Sequence, residues 1–244
     1  MANRTRKRLS KTDLKKDPVY DNLEAALVFV KARYKELLGG LLVLILAVIA
    51  INAVTTSSRR SEQNAMAGFI TASGLYDQAL RAAAMGDMQS TVQALDACNA
   101  IATETWNQHP QRSWGRRCAV ISAKVMVLQG QNDQAIALLG ELLATRPARD
   151  VEMAALIHMA TALENRGSPQ DLENAVESYN RILELTEGNE EFTLVAAETM
   201  KGLSRVAWAQ GDTQGAADWL TASLELNPDT TAFVGYQLAR MNQQ

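Results

Sequence analysis

Residues 37–56 read LLGGLLVLILAVIAINAVTT, twenty positions without an ionisable group. As an α-helix they cover about 30 Å, the hydrocarbon thickness of a bilayer. Twelve of them are Leu, Ile or Val, which together favour insertion by roughly 4–7 kcal/mol. The pattern predicts one membrane span. A core helix of a soluble protein rarely runs so far without a charge. A cleaved leader has a shorter basic start than the 36 residues found here, although Ile51-Asn52-Ala53 is a passable cleavage site. Upstream, Val19, Leu23, Ala26, Leu27, Val30, Tyr34 and Leu37 recur at steps of three and four. With Asp17 as cap and Pro18 in the first turn, they predict an amphipathic helix at the membrane face. A cytosolic extension of the span, or a docking face for a membrane partner, fits the same pattern.

Beyond the span the apolar positions keep helical period to the end, broken at Gly86, Gly130, Gly167 and Gly211. They predict helices near 18–36, 37–56, 61–85, 88–107, 113–129, 132–145, 151–166, 171–186, 191–210, 213–226 and 230–241. The last, with Phe233, Tyr236 and Leu238, reads as a capping helix. The five prolines (Pro18, Pro110, Pro147, Pro169 and Pro228) all fall between periodic runs, as uninterrupted helices require. The fold class expected is all-α. Three domains follow: a basic arm over 1–36, a span over 37–56 and a helical body over 57–244.

Two segments of the body match position by position. Gly130 is followed by Ala135, Leu139, Leu143 and Pro147, and Gly211 by Ala216, Leu220, Leu224 and Pro228 at identical offsets. That is an internal repeat. Gly167 begins a variant in which Ala175 stands eight residues on rather than five, so 168–170 reads as an inserted turn. Tyr179 and Leu183 keep the four-residue step, and Gly86 begins the most degenerate copy, with Val92, Leu95 and Cys98.

The pattern Gly-x4-Ala-x3-(large apolar)-x3-Leu-x3-Pro resembles the second half of the tetratricopeptide repeat. There glycine ends one helix, a small residue lets two helices approach, and proline stops the second. The resemblance implies an α-solenoid of about four helical hairpins plus the capping helix. The glycines are spaced by 44, 37 and 44 residues, against 34 in such repeats, so the helices or turns are longer. With "YDQALRAAAMGD" and "HPQRSWGRRCAVISAKVMVLQGQNDQAIALL" following a basic start and a single span, the layout resembles bacterial tetratricopeptide proteins related to the ancillary subunit of the SecYEG translocon. That resemblance implies translocon components and periplasmic chaperones as partners. A structural or assembly subunit of another inner-membrane complex (envelope, motility or energy-transducing) remains the alternative.

Composition strengthens the helical reading: apolar residues reach 47% while aromatics stop at 5%, against the usual make-up of sheets. The net charge of -3 conceals an asymmetry. Residues 1–36 carry ten Lys/Arg and five Asp/Glu; residues 57–244 carry fourteen and twenty-two. Lys31, Arg33 and Lys35 flank the span on its N-terminal side, as membrane-interface residues, and Arg59 and Arg60 on the other. The positive-inside rule puts residues 1–36 in the cytoplasm and the acidic body outside it; the resemblance implies that this is the periplasmic side of a bacterial inner membrane. Basic residues interleaved with five acids argue for membrane lipid, and against nucleic acid, as the arm's partner.

Catalytic and metal-binding motifs are missing from the sequence. Neither histidine, His109 or His158, has a Cys or carboxylate at ligand spacing. No enzyme, cofactor or metal is expected. Cys98 and Cys118 flank the turn at Pro110, and both a disulfide and a pair of buried free thiols fit their positions. Because the first helix of each hairpin lines the concave face of a tetratricopeptide array, Arg117, Lys124, His158, Lys201, Arg205 and Trp208 are the candidate protein-binding residues. As a cationic stripe with one tryptophan they would hold an acidic or aromatic peptide. A solvated helix face with Trp208 in the core fits the same residues.

Overall fold

A computed structural model describes residues 18–227. The described residues form eight α-helices: α1 Pro18–Ala84, α2 Met88–Gln108, α3 Ser113–Leu128, α4 Asn132–Ala144, α5 Arg149–Arg166, α6 Pro169–Thr186, α7 Thr193–Ala209 and α8 Thr213–Leu226. A single 3-10 turn at Glu190–Phe192 precedes α7. No strand occurs among them. The capping helix expected over 230–241 lies outside the described residues, as do Asp17 and the start of the basic arm.

The chain divides into two compact units, Met1–Arg59 and Arg60–Gln244, and α1 belongs to both. Two of the expected helix ends are absent. Residues 36 and 56 mark changes of composition, but neither brings a glycine or proline, so helical hydrogen bonding continues past them. The break falls instead at Arg33, whose φ of -120° and ψ of 20° leave the helical region.

In the first unit every Leu, Ile and Val from Leu38 to Val54 is at least 45% exposed. The buried-core alternative therefore fails, and among the described residues one helix is long and apolar enough to cross a membrane. An apolar surface of that extent needs lipid or another apolar surface against it. Lys31, Arg33 and Lys35 are exposed near the start of this helix. Arg33 sits 5.5 Å over the Phe29 ring, and Lys35 6.0 Å over Tyr34.

The second unit is built of short-turn helix pairs. Gly86, Gly130, Gly167 and Gly211 adopt φ of 69–85°, the left-handed conformation that ends a helix and that glycine alone adopts without strain. Ser168 is no inserted turn: it caps α6, its Oγ accepting from Asp171 N at 3.1 Å, with Pro169 in the first turn. From α2 to α8 each helix packs on its neighbour in sequence, and α3 also touches α5, and α5 touches α7. The repeat positions face inward, with Ala135, Leu139 and Ala216 fully buried and Leu220 2% exposed.

Small residues set the spacing at the N-terminal end of this unit. Ala65, Ala72 and Ala79, seven residues apart on α1, are at most 1% exposed. Ala72 packs in one cluster with Cys98, Ala102, Cys118 and Val125. Cys98 and Cys118 are free thiols, both fully buried. Cys98 donates to the Ala72 carbonyl at 3.2 Å, and burial pushes both thiols up to about 11.

Candidate functional site

Three helices open a groove of about 290 Å³ in the second unit. The tail of α1 supplies Phe69, Ser73, Tyr76 and Asp77, α3 supplies Arg117, Val120, Ile121 and Lys124, and α5 supplies Asp150, Val151 and Ala154. On each helix these residues recur at steps of three and four, with one adjacent pair in each set (Tyr76/Asp77, Val120/Ile121 and Asp150/Val151), so each set occupies one face. The lining mixes apolar side chains with the charges of Asp77, Arg117, Lys124 and Asp150.

Lys124 lies with Nζ 4.2 Å from the centre of the Tyr76 ring, close enough for a cation–π contact. Arg117 pairs with Asp150 across α3 and α5 and its guanidinium lies 5.5 Å from the Trp114 ring. The Arg117 Nε–H is buried without a hydrogen-bond partner. An unsatisfied buried donor costs about 1–3 kcal/mol, so an incoming acceptor is favoured there. Trp114 also packs against Phe69, with ring centroids 4.9 Å apart.

The other expected binding residues divide differently. His158 on α5 is half-buried and faces the charge of Lys124. Burial, followed by that charge, brings its pKa down to about 4. It is therefore neutral at pH 7 and adds no cation to the stripe. Lys201 pairs with Glu198 on its own helix, Nζ to Oε1 2.6 Å. Arg205 is held by Glu164 through two bonds of 2.9 Å and donates to the Tyr179 hydroxyl at 3.1 Å. Trp208 is half-buried. The six residues do stand on α3, α5 and α7, but only Arg117 and Lys124 share the groove. The acids Asp150, Glu164 and Glu198 interrupt the stripe.

No protein-family model and no curated protein sequence matches this chain. Chemistry must therefore be argued from the side chains themselves. Among the described residues no three His, Cys, Asp or Glu side chains come together to hold a metal ion. What the groove offers is an apolar trough, aromatic rings and two cations, which suits recognition of a chain segment.

The α1 residues of the groove are not among the expected binding residues, because those come only from the helices expected over 113–129, 151–166 and 191–210 and not from the one expected over 61–85. Tyr76 and Asp77 lie within the quoted "YDQAL", and their spacing from Phe69 was the available signal.

The depressed His158 pKa has a measurable consequence. The unfolded histidine titrates near 6.5 and the folded one near 4, so between these values the unfolded chain binds more protons. Stability is full above pH 6.5 and falls as the pH drops toward 4, by about 2–3 kcal/mol for a half-buried ring. Denaturant melts of the detergent-solubilised chain at pH 7 and pH 5 should show this loss, and H158Q should remove most of it. Equal pH dependence in both proteins would contradict the assignment.

Proposed function

We propose that this chain is a single-pass protein of a bacterial inner membrane whose periplasmic body is a tetratricopeptide-like, protein-binding α-solenoid. The groove between α1, α3 and α5 carries the reading. Two kinds of observation support the repeat architecture: buried small residues at matched offsets after Gly130 and Gly211, and the stacking of first helices, α3 on α5 and α5 on α7. The unburied apolar helix supports the anchor, and the excess of basic residues before it supports a cytoplasmic N-terminus.

The occupant that fits is an extended or helical segment with apolar side chains and an acidic group. Apolar side chains cover Val120, Ile121 and Val151, while the acid meets Lys124, which among the described residues forms no ion pair. Translocon components and periplasmic chaperones are the partners that the resemblance in sequence implies. Membership of another inner-membrane assembly is the second reading. The apolar positions of residues 18–32 favour it, since a bare tether needs no amphipathic segment.

Photo-crosslinking in native membranes tests the groove. A crosslinker at Ser73 or Val120 is expected to trap a discrete partner, and K124E to reduce that yield about tenfold by opposing the acidic group. A crosslinker at Glu141, exposed on α4, serves as the control. Equal yields from Glu141 and Val120, or no adduct from the groove, would remove this reading. Mass spectrometry of the adduct separates the two partner classes: Sec components or chaperones on one side, a single stoichiometric complex on the other.

A further inference from the structure

The groove and the start of α7 carry opposite charges in the same register. Along α3, Arg117, Val120, Ile121 and Lys124 line the groove at i, i+3, i+4 and i+7. Two cations thus stand about 10 Å apart along the helix axis, with an apolar pair between them. The 3-10 turn Glu190–Phe192 runs directly into α7, where Glu191, Leu194 and Glu198 stand at i, i+3 and i+7. Two acids there enclose an apolar residue. A helix laid along α3 meets both cations only if its acids keep the same seven-residue step.

The α7 segment is open to a partner. Leu194 is 59% exposed, and beyond Leu128 it and Leu226 are the only exposed large apolar side chains among the described residues. Val195 turns the other way, onto its own core. Glu191 is exposed and is held through its backbone, its N–H donating to Asn189 Oδ1 at 3.0 Å, so its carboxylate stays available. Glu198 bonds Lys201 on the same helix, an i,i+3 pair of the kind worth little in solvent. The surrounding charge extends the match. Residues 105–131 hold four Lys/Arg and no acid, whereas residues 187–198 hold Glu187, Glu190, Glu191 and Glu198 and no Lys or Arg. Opposed fields of this kind steer two surfaces together. Within one molecule α5 stands between α3 and α7, packing on both, so the two surfaces meet only between copies.

We propose that the groove between α1, α3 and α5 takes the start of α7 from a second copy of this chain. Glu191 meets Lys124, Leu194 covers Val120 and Ile121, and Glu198 reaches Arg117, whose Nε–H has no partner within the molecule. This pairing sets the acid without an ion pair on the cation without one, and it runs the two helices antiparallel with their macrodipoles opposed. Exchanged reciprocally, the contact closes as a twofold pair. The inference rests on the groove being a protein-docking site, and it makes self-association the competitor of any other partner there.

The test co-expresses two differently tagged full-length copies, one carrying V120C and the other L194C, and oxidises native membranes with copper phenanthroline. A mixed disulfide is expected in about fivefold or higher yield than from E141C with L194C, which gives the background from exposed positions and from the buried Cys98 and Cys118. E191K in the L194C copy should lower the yield about tenfold, and K124E in the V120C copy should restore it. Such restoration separates lost charge pairing from misfolding, because a misfolded surface is not repaired by a second substitution on another copy. A yield equal to background, a yield indifferent to E191K, or a loss that K124E does not reverse overturns this occupant. If the photo-crosslinker at Val120 then still traps a different protein, the groove keeps its docking role. If it traps nothing, both readings fall together.

Discussion

Replacing Gly202 by alanine is expected to destabilise the helical body by about 3 kcal/mol and lower its Tm by about 6–12 °C. Helix propensity alone gives the opposite sign, since alanine is better than glycine by about 1 kcal/mol in a helix interior. The close approach to Tyr179 reverses it. A Cβ on Gly202 would lie 2.4 Å from Tyr179 Cζ and 2.7 Å from both Cε1 and the hydroxyl. The ring cannot simply move aside. Tyr179 is 3% exposed, its hydroxyl donates to Glu164, and Arg205 donates to that hydroxyl. Displacing it breaks this network as well as the packing of α6 on α7. Gly140 is the internal control: it lies inside α4 with nothing within 4 Å of an added Cβ, so G140A should stabilise by about 0.5–1 kcal/mol. Thermal unfolding of the two variants decides the matter. If G202A melts at or above the unsubstituted protein, or if Tyr179→Leu gives no relief in the double variant, Tyr179 is not what demands glycine there.

The Gly202 contact shows where the sequence stops being informative. The left-handed glycines were legible because each one ends a periodic run, and the helices from 88 to 226 match expectation within about two residues at each end, whereas the start expected at 61 is absent because α1 runs on from Pro18. Gly202 ends nothing; its reason is a partner on another helix, and no spacing along the chain encodes that. The alanines at 65, 72 and 79 are similar, since their seven-residue step is visible but does not say which helix they meet. Charges were harder still. Lys124 and Arg205 look alike in sequence, each a cation on the first helix of a hairpin. The structure separates them through acids that are remote in the chain: Glu164 holds Arg205 from 41 residues away, while Lys124 rests on an aromatic ring. The kink at Arg33 was invisible for another reason. Neither neighbour is glycine or proline, and the composition boundary at Leu37 drew attention away from it.

Introducing two arginines into the apolar helix, as I45R/I49R, is expected to release the chain from the membrane. The two positions are one turn apart near the middle of residues 37–56 and 45% and 59% exposed, so both guanidiniums would meet lipid with no protein partner. Each arginine costs about 2.5–3.5 kcal/mol at a helix centre, and each lost isoleucine removes about 0.3–0.6 more. The total of roughly 6–8 kcal/mol matches or exceeds the 4–7 kcal/mol that the twelve Leu, Ile and Val supply. Insertion therefore loses its driving force, whereas I45L/I49L leaves it unchanged. Alkaline carbonate extraction reads the result: the unsubstituted chain and I45L/I49L stay in the pellet, and I45R/I49R appears in the supernatant. Were the unsubstituted chain extracted as well, the exposed face of α1 would be covered by another protein rather than by lipid. A reporter at the C-terminus then fixes the side: the basic excess of residues 1–36 predicts activity outside the cytosol, and activity only inside it would reverse the proposed orientation. The two measurements together determine whether the groove meets periplasmic partners or cytoplasmic ones.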